Sequence, residues 1–243
     1  ILPDLAVRLA VVRLQDLPWS SEERDALVRW RLGQEQLLSL SGAKVFSQVL
    51  SEPAASGDGP CTVLAVVVQE SVLAQYESVC EAAGLIPQEV DVASLRLYNL
   101  WSQGASRSAQ PTADLLWVNA TDGGVTAFVF HKGALVFLRS KLQGGIGSGG
   151  VWTPGSEQVG INRIVQECAD SIYACQQQVP ELAISQAVLI ADDVMGAGLR
   201  QQLEKGLGVP VQELDWDRVQ QYGGGTITGP RSSAALAAIA GVV

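Results

Sequence analysis

Apolar and polar positions change period several times along this chain, and each change marks an element. Leu5, Val7, Leu9 and Val11 alternate with Ala6, Arg8 and Ala10, the period of two that a half-buried strand requires. Ser20 followed by Glu23 is a capping box, the hydroxyl accepting from an orphan N–H and the glutamate reaching back; it predicts a helix over 20–38. Strands are predicted over 43–50 and 62–68, separated by a flexible loop over 51–60. Val72, Leu73, Tyr76, Val79, Cys80 and Ala83 recur at helical spacing, so 70–83 reads as an amphipathic helix, stopped by Gly84. Residues 85–91 read as a short strand or turn, 93–101 as a helix, and 102–112 as a loop that suits a domain boundary.

The second half is clearer. Residues 115–118 are continuously apolar, as in a strand covered on both faces. Asp122-Gly123-Gly124 supplies the positive-φ residues of a tight turn. Residues 125–130 and 134–139 complete a meander. A long helix is predicted over 156–178, with Ile161, Ile164, Val165, Cys168 and Ile172 as its apolar stripe and Pro180 beyond its end. Residues 184–190 read as a buried strand and 197–206 as a helix with Leu199, Leu203 and Leu207 in register. Residues 209–211 suit an edge strand, where proline is allowed. A glycine turn at 223–225 and an Ala-rich helix over 232–240 close the chain. Strand–helix–strand alternation implies an α/β fold.

Hydrophobic residues make up 47% and charged residues 17% of 243 positions, which fits a packed globular protein rather than a disordered one. The net charge of −9 argues against nucleic acid and against docking on anionic lipid. The longest apolar run, 234–243, is half of the ~20 residues that a membrane span needs, so it reads as a buried helix. The chain begins at Ile1 with no signal peptide visible, so a native N-terminus is expected upstream, and a membrane segment could lie beyond either end. Cys61, Cys80, Cys168 and Cys175 have no metal-ligand spacing and read as reduced, structural thiols. His131, the only histidine, is expected to be solvated in a hairpin turn. A serine triad or a multi-histidine metal site is therefore not expected.

The run LLWVNATDGGVTAFVFHKGALVFLRSKLQGG resembles the second phosphate hairpin of the actin-like ATPase superfamily. There the strand ends in Asp-x-Gly-Gly-Gly-Thr; here Asn119 stands at the Asp, Thr121 and Asp122 replace two glycines, Gly123 keeps the third, and Gly124 falls at the Thr. The segments LPWSSEERDALVRW and VLAVVVQESVLAQYESVCEAAGLIPQEVDV resemble the PilM family of type IV pilus assembly proteins. AVLIADDVMGAGLRQQLEKGLGVPV is similar to its adenosine segment, with Ala191 and Asp192 at the paired glycines and Gly198-Leu199 at the helix start. Arg139 with Gly144 and Gly145 roughly fits the Arg-Gly-Gly that follows the hairpin, although as a bare pattern this Gly-rich loop reads as a connector. The cytoplasmic domain of GspL and the division protein FtsA are more distant likenesses.

The resemblance implies an actin-like, ribonuclease H-type α/β body, with residues 1–90 as an inserted α+β subdomain and 91–243 as the core. The family's first phosphate hairpin is absent from the chain. It also implies a degenerate nucleotide site at Asn119, Thr121, Asp122, Gly123, Gly124, Gly144, Gly145, Ala191 and Asp192. Asn119 lacks the charge that orients a metal-bound water. Asp122 would put an anion beside a polyanion; at ~4 Å and an effective dielectric of about 20 the repulsion is about 4 kcal/mol. That takes a micromolar affinity to millimolar. Hydrolysis, bound Mg-ATP, catalytic residues and a metal are accordingly not expected. The implied role is a cytoplasmic scaffold, peripheral at the inner membrane, which binds the cytoplasmic tail of a PilN-like membrane partner and is able to form homo-oligomers. The alternatives are a GspL-like type II secretion domain and an active ATP-binding member of the same fold.

Overall fold

The structure, a computed structural model, describes residues 1–18, 20–35, 40–51, 61–105, 113–121, 123–142, 156–191 and 196–214. The chain divides into two compact units, one of Ile1–Leu5 with Asp91–Val243 and the other of Ala6–Val90.

The smaller unit is an antiparallel sheet of β1 (Val7–Leu14), β2 (Ala43–Ser51) and β3 (Cys61–Gln69), in the order β1-β3-β2. Helix α1 (Ser21–Glu35) covers one face, and its Val28 and Leu32 pack with Val12, Leu14, Val63, Ala65 and Val67. The start of this helix is set as expected, with Glu23 N–H donating to Ser20 Oγ at 3.3 Å. The expected end near residue 38 lies outside the described residues. Strand β1 runs further than the alternation over residues 5–11 suggests, and Leu5 sits instead in a 3-10 turn at Asp4–Ala6. Helix α2 (Glu70–Ala82) ends at Gly84, whose φ is 74°. The N–H of Gly84 donates to Glu81 and that of Leu85 to Cys80, which satisfies the last carbonyls. Its expected apolar face is only partly used: Leu73 is buried, but Tyr76 and Val79 are 41% and 69% exposed.

In the larger unit β4 (Asp114–Thr121), β5 (Gly124–His131) and β6 (Ala134–Leu142) form an antiparallel meander. β7 (Ile184–Ala191) joins β4 in parallel and β8 (Val211–Glu213) joins β7, giving the order β6-β5-β4-β7-β8. Two long helices, α4 (Ser156–Gln176) and α5 (Gly196–Leu207), pack on one face. The predicted stripes are the ones that bury: Ile161, Ile164 and Cys168 from α4, and Leu199 and Leu203 from α5, meet Leu116, Val118, Ala127 and Val129 of the sheet. A Cβ on Gly206 would come within 2.6 Å of Val165 Cγ1, so glycine lets the two helices approach. Burial pushes the Cys168 thiol up to about 12.

The opposite face of this sheet carries aromatic rings. Trp117 stacks on Phe128 at 5.0 Å, and Tyr98 from α3 (Ala93–Ala105) stacks on Phe130 at 4.4 Å. Burial raises the Tyr98 phenol above its ordinary value. The sequence expectation of an Ala-rich helix over 232–240, and of a glycine turn at 223–225, lies outside the described residues.

Asp114 fixes the amino end of β4. Its carboxylate accepts from Lys132 N–H at 3.1 Å and Ala183 N–H at 2.8 Å, tying the β5–β6 turn and the approach to β7 to one side chain. His131 is not solvated, contrary to expectation. Its imidazole is 13% exposed, with Nδ1 at 2.9 Å from Asp114 Oδ1 and Nε2 at 3.7 Å from Glu181 Oε1. The contacts are close enough for ion pairs but not aligned as hydrogen bonds. Burial pushes the Asp114 carboxyl up, but the Ala183 N–H, the imidazole and the Lys132 N–H outweigh it and hold the carboxyl below its ordinary value.

Candidate functional site

Strands β4 and β7 run parallel, so their carboxyl ends open on the same side of the sheet, where ligands of open α/β folds bind. The register sets Ala191 beside Ala120, next to Asn119 and Thr121. Three of the candidate residues are thus brought to one edge, and Gly123 and Gly124 follow at the turn. Asp122, Gly144, Gly145 and Asp192 lie outside the described residues.

Asn119 is 3% exposed. Its Nδ2 donates to Ser94 Oγ at 2.9 Å and to Asp4 Oδ2 at 3.1 Å. Ser94 in turn donates its hydroxyl to Asp4 Oδ2 and its backbone N–H to Asp4 Oδ1, the latter at 2.9 Å. The proton order is therefore amide to hydroxyl to carboxylate. Asp4 accepts only, so the amide must present Nδ2, and Asn119 Oδ1 is left without a hydrogen-bond partner. Ser94 lies in the first turn of α3, where free N–H groups and the helix dipole favour an anion. Asp4 supplies that anion from 90 residues away. The amide that stands at the metal-orienting position of the resemblance is thus spent inside the protein.

The turn has also closed on itself. A Cβ on Gly123 would lie 2.6 Å from Leu5 Cδ1, and one on Gly124 would lie 2.9 Å from Leu5 Cδ2 and 2.5 Å from the Lys141 carbonyl oxygen. Neither glycine lies in the left-handed region; in this meander Lys132 and Gly133 do, at φ 50° and 81°. Gly124 is therefore required by close packing against the Lys141 backbone and not by the positive φ expected from sequence, whereas Gly123 meets only the tip of the Leu5 side chain. Thr121 Oγ1 donates across the turn to the Gly124 carbonyl at 3.3 Å.

The bases of β6 face the other way. Lys141 Nζ donates to Glu167 Oε1, and Arg139 Nε lies 3.8 Å from Glu167 Oε2, within ion-pair reach but not hydrogen-bonded. Both pair with Val125 and Ala127 of β5, whose side chains belong to the α4 face of the sheet, whereas Asn119 pairs with Thr126 on the aromatic face. Among the described residues no group of three or more His, Cys, Asp or Glu is placed to hold a metal, and no helix is long and apolar enough to cross a membrane. Sequence reasoning missed Asp4, Ser94 and the role of Leu5. The signal available was an isolated carboxylate in an otherwise apolar start, ILPDLAV.

No protein-family model matches the chain, and no curated protein matches it. Solved structures do. The chain is similar to the PilM-PilN type IV pilus biogenesis complex, with a TM-score of 0.63 at 16% identity over 88% of this chain and 68% of that chain. A Bacteroides thetaiotaomicron protein with actin-like ATPase fold and unknown function matches at a TM-score of 0.48 and 13% identity, over 87% of this chain and 66% of that one. The ethanolamine utilization protein EutJ from Carboxydothermus hydrogenoformans matches at 0.36 and 13% identity, over 60% and 55%. The strand order and the likeness to PilM together give the chain its place: it has the actin-like α/β fold.

Proposed function

We propose that the chain is a non-catalytic actin-like scaffold of a type IV pilus assembly platform, held at the inner membrane by the cytoplasmic tail of a PilN-type partner. The observation that carries this reading is the closed hairpin. Leu5 lies on the two glycines whose backbone a phosphate would need to reach, and the Asn119 amide is committed to Asp4 and Ser94. A cradle of N–H groups binds phosphate only when the chain is bare and the groups are free. Among the described residues these contacts oppose a Mg-nucleotide, which supports the non-catalytic reading. The fold shared with PilM, seen in a complex with PilN, supports the choice of partner. Within this reading, Ala6–Val90 stands for the inserted subdomain.

Two measurements test it. Calorimetry with Mg-ATP is expected to give no heat of binding at micromolar nucleotide; a micromolar constant overturns the non-catalytic half. A pull-down with the cytoplasmic tail of a PilN-type protein is expected to retain the chain, and failure to do so overturns the partner.

A further inference from the structure

Helix α2 turns most of its surface to water. Of its residues only Leu73 is buried, and the line that Leu73 shares with half-buried Cys80 marks the side on which the helix packs. At about 100° per residue, three stripes run along the rest. Val72, Tyr76, Val79 and Ala83 form an apolar one, half-buried at Val72 but 41% exposed at Tyr76 and 69% at Val79. Glu70, Glu77 and Glu81 form an acidic one on the other flank. Between these two, along the outermost side, lie Ser71, Ala74, Ser78 and Ala82, all small and all exposed. Ser78 donates its hydroxyl back to the Gln75 carbonyl at 2.9 Å, so its polar group is already satisfied on the helix. Past the stop at Gly84, Leu85 and Ile86 continue the apolar surface at 62% and 81% exposure.

A surface of this pattern has a definite complement. Exposed apolar side chains gathered on one element mark a contact site. Small side chains along the crest let a second helix lie close, at the near end of the ~8–10 Å that separates packed axes. Charge decides what kind of helix fits. Between Lys44 and Arg96 the sequence holds no Lys, Arg or His, and among the described residues none of Glu70, Glu77 and Glu81 is held in an ion pair. The acidic flank is therefore uncompensated. It repels nucleic acid and anionic lipid and attracts Lys or Arg. We propose that the exposed side of α2 is a docking face for a cationic amphipathic helix of another protein, with apolar residues on Tyr76 and Val79 and Lys or Arg along Glu70, Glu77 and Glu81. Recognition through one amphipathic helix face is a recurring mode. The 13 residues of α2 span ~20 Å, so the contact is small, its affinity is modest, and salt weakens it. The inference goes beyond the pilus reading and does not rest on it.

Fluorescence anisotropy on the 243-residue chain, with a labelled peptide of about 18 residues that carries Leu on one helical stripe and Lys elsewhere, tests this. The expected result is saturable binding in the micromolar range, weakened severalfold between about 50 and about 300 mM salt. Val79→Arg, and the pair Glu77→Lys with Glu81→Lys, are each expected to weaken it at least about tenfold. The pair Asp16→Lys with Glu22→Lys makes the same change of charge outside α2 and is expected to weaken it less than about twofold. Circular dichroism checks that the variants fold and reads the helix gained by the bound peptide. No binding at about 100 μM peptide overturns the proposal. So does equal binding of a scrambled peptide of the same composition, or of one with Glu in place of Lys. Indifference to Val79→Arg, or a loss as large from the Asp16 and Glu22 pair as from the α2 pair, overturns it too, since either would reduce the contact to general charge attraction. Preferential binding to phosphatidylglycerol vesicles overturns the choice of a protein helix. None of these measurements uses a PilN-type tail, so their failure is distinguishable from failure of the pull-down.

Discussion

The two units solve the same problem, covering an apolar sheet, to different degrees. In the larger one β4 and β5 are buried on both faces, by α4 and α5 on one side and the aromatic rings on the other. In the smaller one, β2 alternates exposed and half-buried positions along most of its length. Trp30, Phe46, Leu50, Tyr76, Val79, Leu85, Ile86 and Val90 are all more than a third exposed there. Apolar side chains left in water are normal singly, but a concentration of them marks a contact surface. The larger unit leaves large apolar side chains outside as well, Leu142, Val159 and Tyr173 among them, but its central strands are covered on both faces. The difference therefore lies in how the sheets are finished: the smaller unit leaves more of its apolar side chains in water for its length.

Two tryptophans give the largest expected contrast. Trp117 is fully buried and Trp30 is 58% exposed. Trp117→Ala is expected to cost about 4 kcal/mol in urea unfolding, and Trp30→Ala no more than about 0.5. Equal losses would break the comparison. Next comes Asn119→Asp, which restores the residue type of the resemblance but places a second carboxylate beside Asp4. At an effective dielectric of about 20 the repulsion approaches 4 kcal/mol. Repulsion raises the pKa of the introduced pair, so the variant holds its stability below the unfolded carboxyl value and loses it as pH rises. The gap to the parent therefore opens between about pH 4 and 7. A gap that stays constant across that range would show that the Asn119 amide does not face a charge.

Asp114 gives a smaller effect of the opposite sign. Its carboxyl is held below the ordinary value, so its contribution is present above the unfolded value of about 3.9 and is lost as pH falls through the lower folded value. Asp114→Asn is expected to cost about 1–3 kcal/mol near neutrality and to flatten the acid limb of the stability curve. An unchanged acid limb would mean that the Lys132 and Ala183 N–H groups do not depend on the charge.

What was legible from sequence follows the same division. The stripes of α4 and α5 and the apolar run of β4 were readable because each is local: the period of the pattern is the period of the element. The capping of α1 by Ser20 and the stop of α2 at Gly84 were readable for the same reason. The Asp4–Ser94–Asn119 node was not, since its members stand 25 to 115 residues apart and no short pattern joins them. His131 was misread because its immediate neighbours signal a turn, whereas the carboxylates that enclose it come from the start of β4 and from Glu181. The positive φ expected at Gly123-Gly124 was misplaced because sequence shows that a glycine is needed but not whether conformation or close packing needs it.

The smallest effect bears most directly on the smaller unit. The helical period of Tyr76, Val79 and Ala83 is real, yet periodicity reports only that one face is apolar and is silent on what covers it. Leu73, 5% exposed, is the position on α2 that uses its face within the chain, and Val79 is 69% exposed. Leu73→Ala is therefore expected to cost about 2 kcal/mol. Val79→Ser, at the helix's other end, should change stability by no more than about 0.5 kcal/mol, less the slight loss of a β-branched residue's own poor helix propensity. If Val79→Ser instead proved as costly as Leu73→Ala, the face would be covered within the chain, and the surplus of apolar surface that sets the two units apart would shrink accordingly.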